Sequence, residues 1–327
     1  MLNAVTLHFK PHMKIAFVGK GGSGKTTLSG LVSRFLASKN FPVIAIDADI
    51  NQHLGKSLGM VDDVARSIPA MGMEIHRIKE YLRGDNPLIS DNASMIKTTP
   101  PGTGSRLLRI VESNPIFEHF SREIDGVSLL AVGPFDENDL GVRCYHSKTG
   151  SVELLLNHLI DKEREYVITD MTAGADSFSS GLFTRFDITF LVVEPTLKSV
   201  SVYAQYKKYA KDHGVTIKVI GNKIEDETDI EFLKKHTGDD LVAVMHQSMF
   251  VKRTDRGEAL PLTTLEQRNQ ESLETIISII DEQKKDWKKF TEQAIAFHLK
   301  NAKSWANASS GKDLTLQIDN QFTLPTQ

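Results

Sequence analysis

The stretch FVGKGGSGKTTLSG, residues 17–30, decides the fold. Its core, Gly19-Lys20-Gly21-Gly22-Ser23-Gly24-Lys25-Thr26, fits the phosphate-loop pattern G-x-x-x-x-G-K-[ST]. An apolar, strand-like run ends at Val18 and a helical pattern starts at Lys25, so the loop joins a strand to a helix. Glycines let successive backbone N–H groups curl around phosphate oxygens, and the helix N-terminus adds positive potential. Lys25 is expected to reach the β- and γ-phosphates, and the Thr26 hydroxyl to hold Mg²⁺. Thr27 completes the nucleotide-binding stretch. The loop also carries one lysine more than this chemistry requires, Lys20.

Outward from the loop, short apolar runs recur: KIAFV (14–18), PVIAID (42–47), VSLLAV (127–132), YVITD ending at Asp170, ITFLVV (188–193), TIKVIG (216–221) and LVAVM (241–245). Most are apolar at successive positions, as expected of strands buried on both faces. Helical patterns lie between them over 25–39, 150–161, 199–212, 227–236 and 269–283. The alternation predicts an α/β fold, a doubly wound and mostly parallel sheet flanked by helices. The expected organisation is an N-terminal tail (1–12), a P-loop ATPase domain (13–281) with an insertion at 62–125, and a C-terminal helical extension (282–327).

Composition narrows the function classes. A net charge of -3 over 327 residues gives no sign of a nucleic-acid binder. A single cysteine rules out an intrachain disulfide and suits a reducing, cytoplasmic setting. No signal peptide is legible in residues 1–13, and no run of about 18 apolar residues offers a membrane span.

The second apolar run ends in Asp47-Ala48-Asp49, two carboxylates at the carboxyl end of what reads as the strand next to the P-loop strand, where ligands bind in such sheets. Asp47 is open to two readings, support of the Mg²⁺ shell or capping of the next helix. Asp170, closing another apolar strand, has the Walker B arrangement and is expected to bond Mg²⁺ through water. The segment GNKIED (221–226) places Glu225 where GTPases of the N-K-x-D type have aspartate. The longer side chain displaces a bidentate guanine contact, whereas Asn222 can pair with the N6 amino group and N7 of adenine. The expected nucleotide is therefore ATP.

The form K-G-G-x-G-K-T-T resembles the deviant Walker A motif of the SIMIBI class, within the MinD/ParA superfamily. DMTAGAD (170–176), FDITFLVVEPTLKSV (186–200) and VKRTDRGEALP (251–261) are most similar to segments of the nickel-insertion accessory ATPases of carbon monoxide dehydrogenase. Thr172 and Asp176 depart from that family, which has glutamate at both places. The resemblance covers about residues 14–281. It implies an ATP-hydrolysing switch that forms a homodimer on ATP binding. Lys20 would act across the dimer on the partner's nucleotide, and Asp49 would orient or deprotonate the attacking water. It also implies a client protein, a metalloenzyme whose metal centre is being matured.

That family carries a Cys-x-Cys pair where this chain has Cys144-Tyr145-His146. Residues i and i+2 of an extended segment share a side, so two chains would offer a Cys₂His₂ set for Zn²⁺ or Ni²⁺ at the dimer axis. The competing reading of Cys144 is a buried thiol. The alternative function is a positioning ATPase that binds a membrane or DNA. Its candidate element is QKKDWKKFTEQAIAFHLKNAKSWAN (283–307), with Trp287, Phe290, Ala294, Phe297 and Trp305 near one helical face and lysines around it. Docking of that face on the ATPase core is the commoner arrangement and the expected one. A sheltering role for the insertion finds little support, because Met71, Met73 and Met95 are scattered. TTPPGTGSR (98–106) reads as a surface loop.

Overall fold

The computed structural model describes residues 13–134, 145–172, 178 and 181–325, without the side chains of 145–147. The apolar runs form strands β1 (Met13–Gly19), β2 (Val43–Ala48), β4 (Val127–Ala131), β5 (Tyr166–Thr172), β6 (Ile188–Val193), β7 (Ile217–Ile224) and β8 (Leu241–His246). A strand that the sequence did not announce, β3 (Arg122–Ile124), lies inside the 62–125 insertion. The sheet order is β3-β4-β2-β5-β1-β6-β7-β8, parallel throughout except for β3, which pairs antiparallel with β4. Central β1 is buried at every position, and all its residues but the ion-paired Lys14 are apolar or glycine.

Five of the helices match the periodic segments: α1 (Lys25–Ser38), α2 (Tyr145–His158), α3 (Leu197–His213), α4 (Glu227–Thr237) and α5 (Gln267–Asp281). A sixth, α6 (Trp287–Asn301), lies in the C-terminal extension. Two apolar layers sandwich the sheet. One includes Val18, Ile46, Leu155 and Leu191, and the other Phe17, Leu28, Ile168 and Ile277.

Several expectations change. β2 is not the neighbour of β1, because β5 runs between them in register with both. The insertion belongs largely to the core: Met71, Ile78, Leu82, Met95, Leu108 and Phe120 are buried, and of its three methionines only Met73 is exposed. The 98–106 stretch is no surface loop at its start. Thr98 and Thr99 are buried, the Thr99 hydroxyl donates to Gln317 Oε1 at 3.3 Å, and Thr103 N–H donates to Asp319 Oδ2 at 3.0 Å. The C-terminal extension thus folds back over the insertion.

The lysine-ringed aromatic face docks inward, in keeping with the expected arrangement. Phe290, Ala294 and Phe297 are buried, and Phe297 stacks edge-on against Phe183 at 5.6 Å. Of that face Trp305 is about half exposed. The surface on which the membrane reading rested is therefore core packing, and among the described residues no helix is long and apolar enough to cross a membrane.

Candidate nucleotide site

The carboxyl ends of β1, β2, β5 and β7 converge on one side of the sheet, as the doubly wound pattern requires. The phosphate loop leaves β1 and enters α1, with Ser23 N–H donating to the Lys20 carbonyl at 2.9 Å. Gly22 and Gly24 have φ of 86° and 92°, a left-handed backbone that glycine alone adopts freely. Gly24 has a second constraint: a Cβ there would meet Asn222 Nδ2 at 2.1 Å. The loop, Thr27, Asp49, Asn222 and the segment 245–261 line a cleft of about 1690 Å³. Arg34 holds the far wall by donating to the Leu260 carbonyl at 2.7 Å.

Lys25 and Asp49 meet in a buried ion pair at 2.7 Å. Burial alone would raise the Asp49 carboxyl, but Lys25 and Asn51, which donates through both its N–H (2.9 Å) and Nδ2 (3.0 Å), hold it below its usual range. The Thr26 hydroxyl donates to Asp170 Oδ2 at 2.6 Å. Asp170 is fully buried, and burial pushes it up to about 7 against the pull of Lys25 and Thr26. Its Oδ1 has no hydrogen-bond partner among the described residues. A hydroxyl beside a buried carboxylate with a vacant oxygen is the donor set that a hydrated Mg²⁺ requires, so the residues fit the ion. Bound with the nucleotide, Mg²⁺ would neutralise charge on the phosphates.

Asp47 accepts at the start of a short helix. Its Oδ2 accepts from Leu54 N–H at 2.8 Å, at the start of the helix Leu54–Ser57, and its Oδ1 accepts from Asp49 N–H at 3.2 Å. It also lies directly across from Asp170 in the β2–β5 register, and burial, reinforced by Asp170, pushes it well above its usual range.

Asn222 takes a place that its sequence does not show. Its Nδ2 donates to the Ser23 carbonyl at 2.7 Å, so one of its two amide hydrogens serves the phosphate loop. The neighbouring Lys223 was missed as a site residue altogether: its Nζ donates to the Gly22 carbonyl at 2.7 Å. Lys20 sits on the loop at intermediate burial, outside the lining of the cleft that Lys25 and Thr26 share. Cys144 falls outside the described residues, as do Gly174 and Asp176. The backbone is already helical at His146, within α2, so the extended geometry that put Cys144 and His146 on one side does not reach His146. Among the described residues no cluster of three or more His, Cys, Asp or Glu side chains is suited to hold a metal.

A family model described as CbiA, the CobQ/CobB/MinD/ParA nucleotide binding domain, matches residues 15–285. The carbon monoxide dehydrogenase accessory protein CooC of Rhodospirillum rubrum is 31% identical over 222 residues, 68% of this chain and 78% of that protein. An uncharacterized ATP-binding protein of Methanocaldococcus jannaschii is 32% identical over 224 residues, 68% of this chain and 79% of that one. Solved structures share the fold at lower identity. A ParA family ATPase from Chlorobium tepidum has a TM-score of 0.56 at 13% identity, covering 82% of this chain and 97% of its own. The MinC:MinD cell division complex of Aquifex aeolicus gives 0.54 at 19% identity, covering 84% of this chain and 97% of the other. Matched from its first strand to the helix that closes the sheet, the chain belongs to the CobQ/CobB/MinD/ParA nucleotide-binding family and is a P-loop ATPase.

Proposed function

We propose that this ATPase is a dimeric switch that assists metal-centre maturation in a client metalloenzyme. The observation that carries the reading is the 31% identity to an accessory protein of carbon monoxide dehydrogenase, sustained over 78% of that protein. ATP binds in the cleft with its phosphates on residues 19–27. Lys25 exchanges Asp49 for the β- and γ-phosphates, which frees Asp49 to orient water. Asn222 keeps its carbonyl oxygen and a second amide hydrogen, the two groups that a bidentate adenine contact uses. Lys20, which stands outside its own chain's cleft lining, reaches the nucleotide of the partner subunit. Cys144 and His146 remain the proposed metal ligands, on the grounds of their place in the sequence alone.

The test is complementation. Lys20→Ala and Asp49→Asn chains, each inactive alone, should regain part of the ATPase activity when mixed, because one site of the mixed dimer has both residues. Normal hydrolysis by Lys20→Ala alone would sink the shared-site reading. Nickel or zinc titration with an ATP analogue present should give one metal per dimer, lost in Cys144→Ala. Unchanged stoichiometry in that variant removes the metal role.

A further inference from the structure

A phosphate loop binds anions only if its N–H groups point inward, and its carbonyls must then point away and find donors elsewhere. Here two consecutive carbonyls are served by two consecutive side chains of β7. Asn222 donates to Ser23, and Lys223 donates to Gly22, both at 2.7 Å. Lys223 is itself held by Glu194 at 2.5 Å, at the end of β6. Glu194 is fixed in turn, since its backbone N–H donates to the Ser199 hydroxyl at 2.9 Å in the first turn of α3. The loop is thus tied to two strand ends and a helix start.

The backbone at Lys223 argues that more than the ion pair's stability keeps a lysine here. Lys223 has φ of 60°, in the left-handed region, and it sits where the β7–β8 register breaks between Gly221 and Ile224. Glycine is the usual residue at such a point, because a Cβ there is strained. The Lys223–Glu194 pair is 45% and 29% exposed, and exposed pairs add little to stability, less than the left-handed conformation of a non-glycine residue costs. Glycine would relieve the strain but could not reach the Gly22 carbonyl.

We propose that Lys223, oriented by Glu194, is a positioning residue for ATP binding: it holds the Gly22 peptide plane so that the loop's N–H groups face the phosphates before nucleotide arrives. Preorganised donors avoid the ordering cost that a floppy loop would meet on binding. Lys223 lines the cleft beside Gly22, and in this role it acts through the Gly22 peptide.

The experiment measures ATP and ADP affinity, KM, kcat and melting temperature in four variants of the full chain. Lys223→Gly should melt at or above the wild-type temperature yet bind both nucleotides about 5–20-fold more weakly, with KM rising more than kcat falls. Lys223→Met, which keeps the stem and removes the donor, should show the same loss of affinity if the glycine variant proves unstable. Lys223→Arg should recover most of the affinity. The charge swap Glu194→Lys with Lys223→Glu restores an ion pair but places no donor on the Gly22 carbonyl, so it should not recover. Wild-type affinity in Lys223→Gly and Lys223→Met, or recovery in the swap, overturns the proposal.

Discussion

At the amino ends of β1, β5 and β6 lie Lys14, Asp161, Asp187 and Lys285. At the carboxyl ends of β1, β2 and β5 lie Lys25, Asp47, Asp49 and Asp170. Both groups are largely buried, and only the balance of charge separates them. In the first, two cations meet two anions. Lys14 bonds Asp161 at 2.5 Å, and Lys285 bonds Asp161 at 2.7 Å and Asp187 at 2.6 Å. The Lys14 ammonium also lies 4.6 Å from the Trp287 ring and 4.7 Å from Phe290, which fastens the C-terminal extension to the sheet. In the second, Lys25 pairs with Asp49, Asp47 lies across from Asp170 in the β2–β5 register, and one oxygen of Asp170 has no partner among the described residues. Burial of charge alone does not mark function. A buried carboxyl that no cation of the chain pairs does, and here Asp170, beside the Thr26 hydroxyl and with one oxygen unpartnered among the described residues, fits a hydrated divalent cation.

Substitutions can break this contrast, and the largest effect should come from Asp49→Asn. Turnover should fall by about two to four orders of magnitude, while the melting temperature stays close to that of the wild type. Phosphate release and a thermal melt on one preparation decide it, and near-normal turnover would remove Asp49 from the chemistry.

The opposite outcome is expected at the other end of the sheet. Asp161→Ala leaves Lys14 and Lys285 buried with half their anionic partners gone and should cost about 3–5 kcal/mol. Hydrolysis per folded molecule should not change. Chemical denaturation followed with an ATPase assay tests both halves. A wild-type denaturation midpoint, or a lowered kcat, would mean that the two clusters are not separate in role.

The smallest effect sharpens the contrast and has the opposite sign. Asp170→Asn should stabilise the protein in EDTA at pH 7.5 by roughly 1–3 kcal/mol, although it impairs Mg²⁺-dependent hydrolysis. The folded state keeps the Asp170 proton up to about pH 7, whereas the unfolded chain releases it near the usual carboxylate value. The wild type therefore loses stability as pH rises from about 4 to 7, and the gain in Asp170→Asn should shrink toward zero at the acid end of that window. Melts across it measure the difference. A destabilised variant, or a gain independent of pH, would show that the carboxyl is not under strain.

Every described strand but β3, the principal helices, the phosphate loop, and the placing of Asp49 and Asp170 at strand ends are legible in the sequence. These are local facts. A continuous apolar run marks a strand covered on both faces, a 3.6-residue period marks a helix, and the loop's glycine spacing is set by the backbone it must adopt. The folded chain is needed to see that β5 divides β2 from β1, that Asp47 accepts from Leu54 N–H, and that Asn222 and Lys223 serve the carbonyls of a loop about 200 residues earlier in the chain. It alone joined Lys285 to Asp161 and set Phe297 of the aromatic helix against Phe183. Periodicity records that a face is buried and is silent about which element covers it. A polar side chain's partner is likewise whatever group the fold brings within reach, and no spacing along the chain encodes that choice.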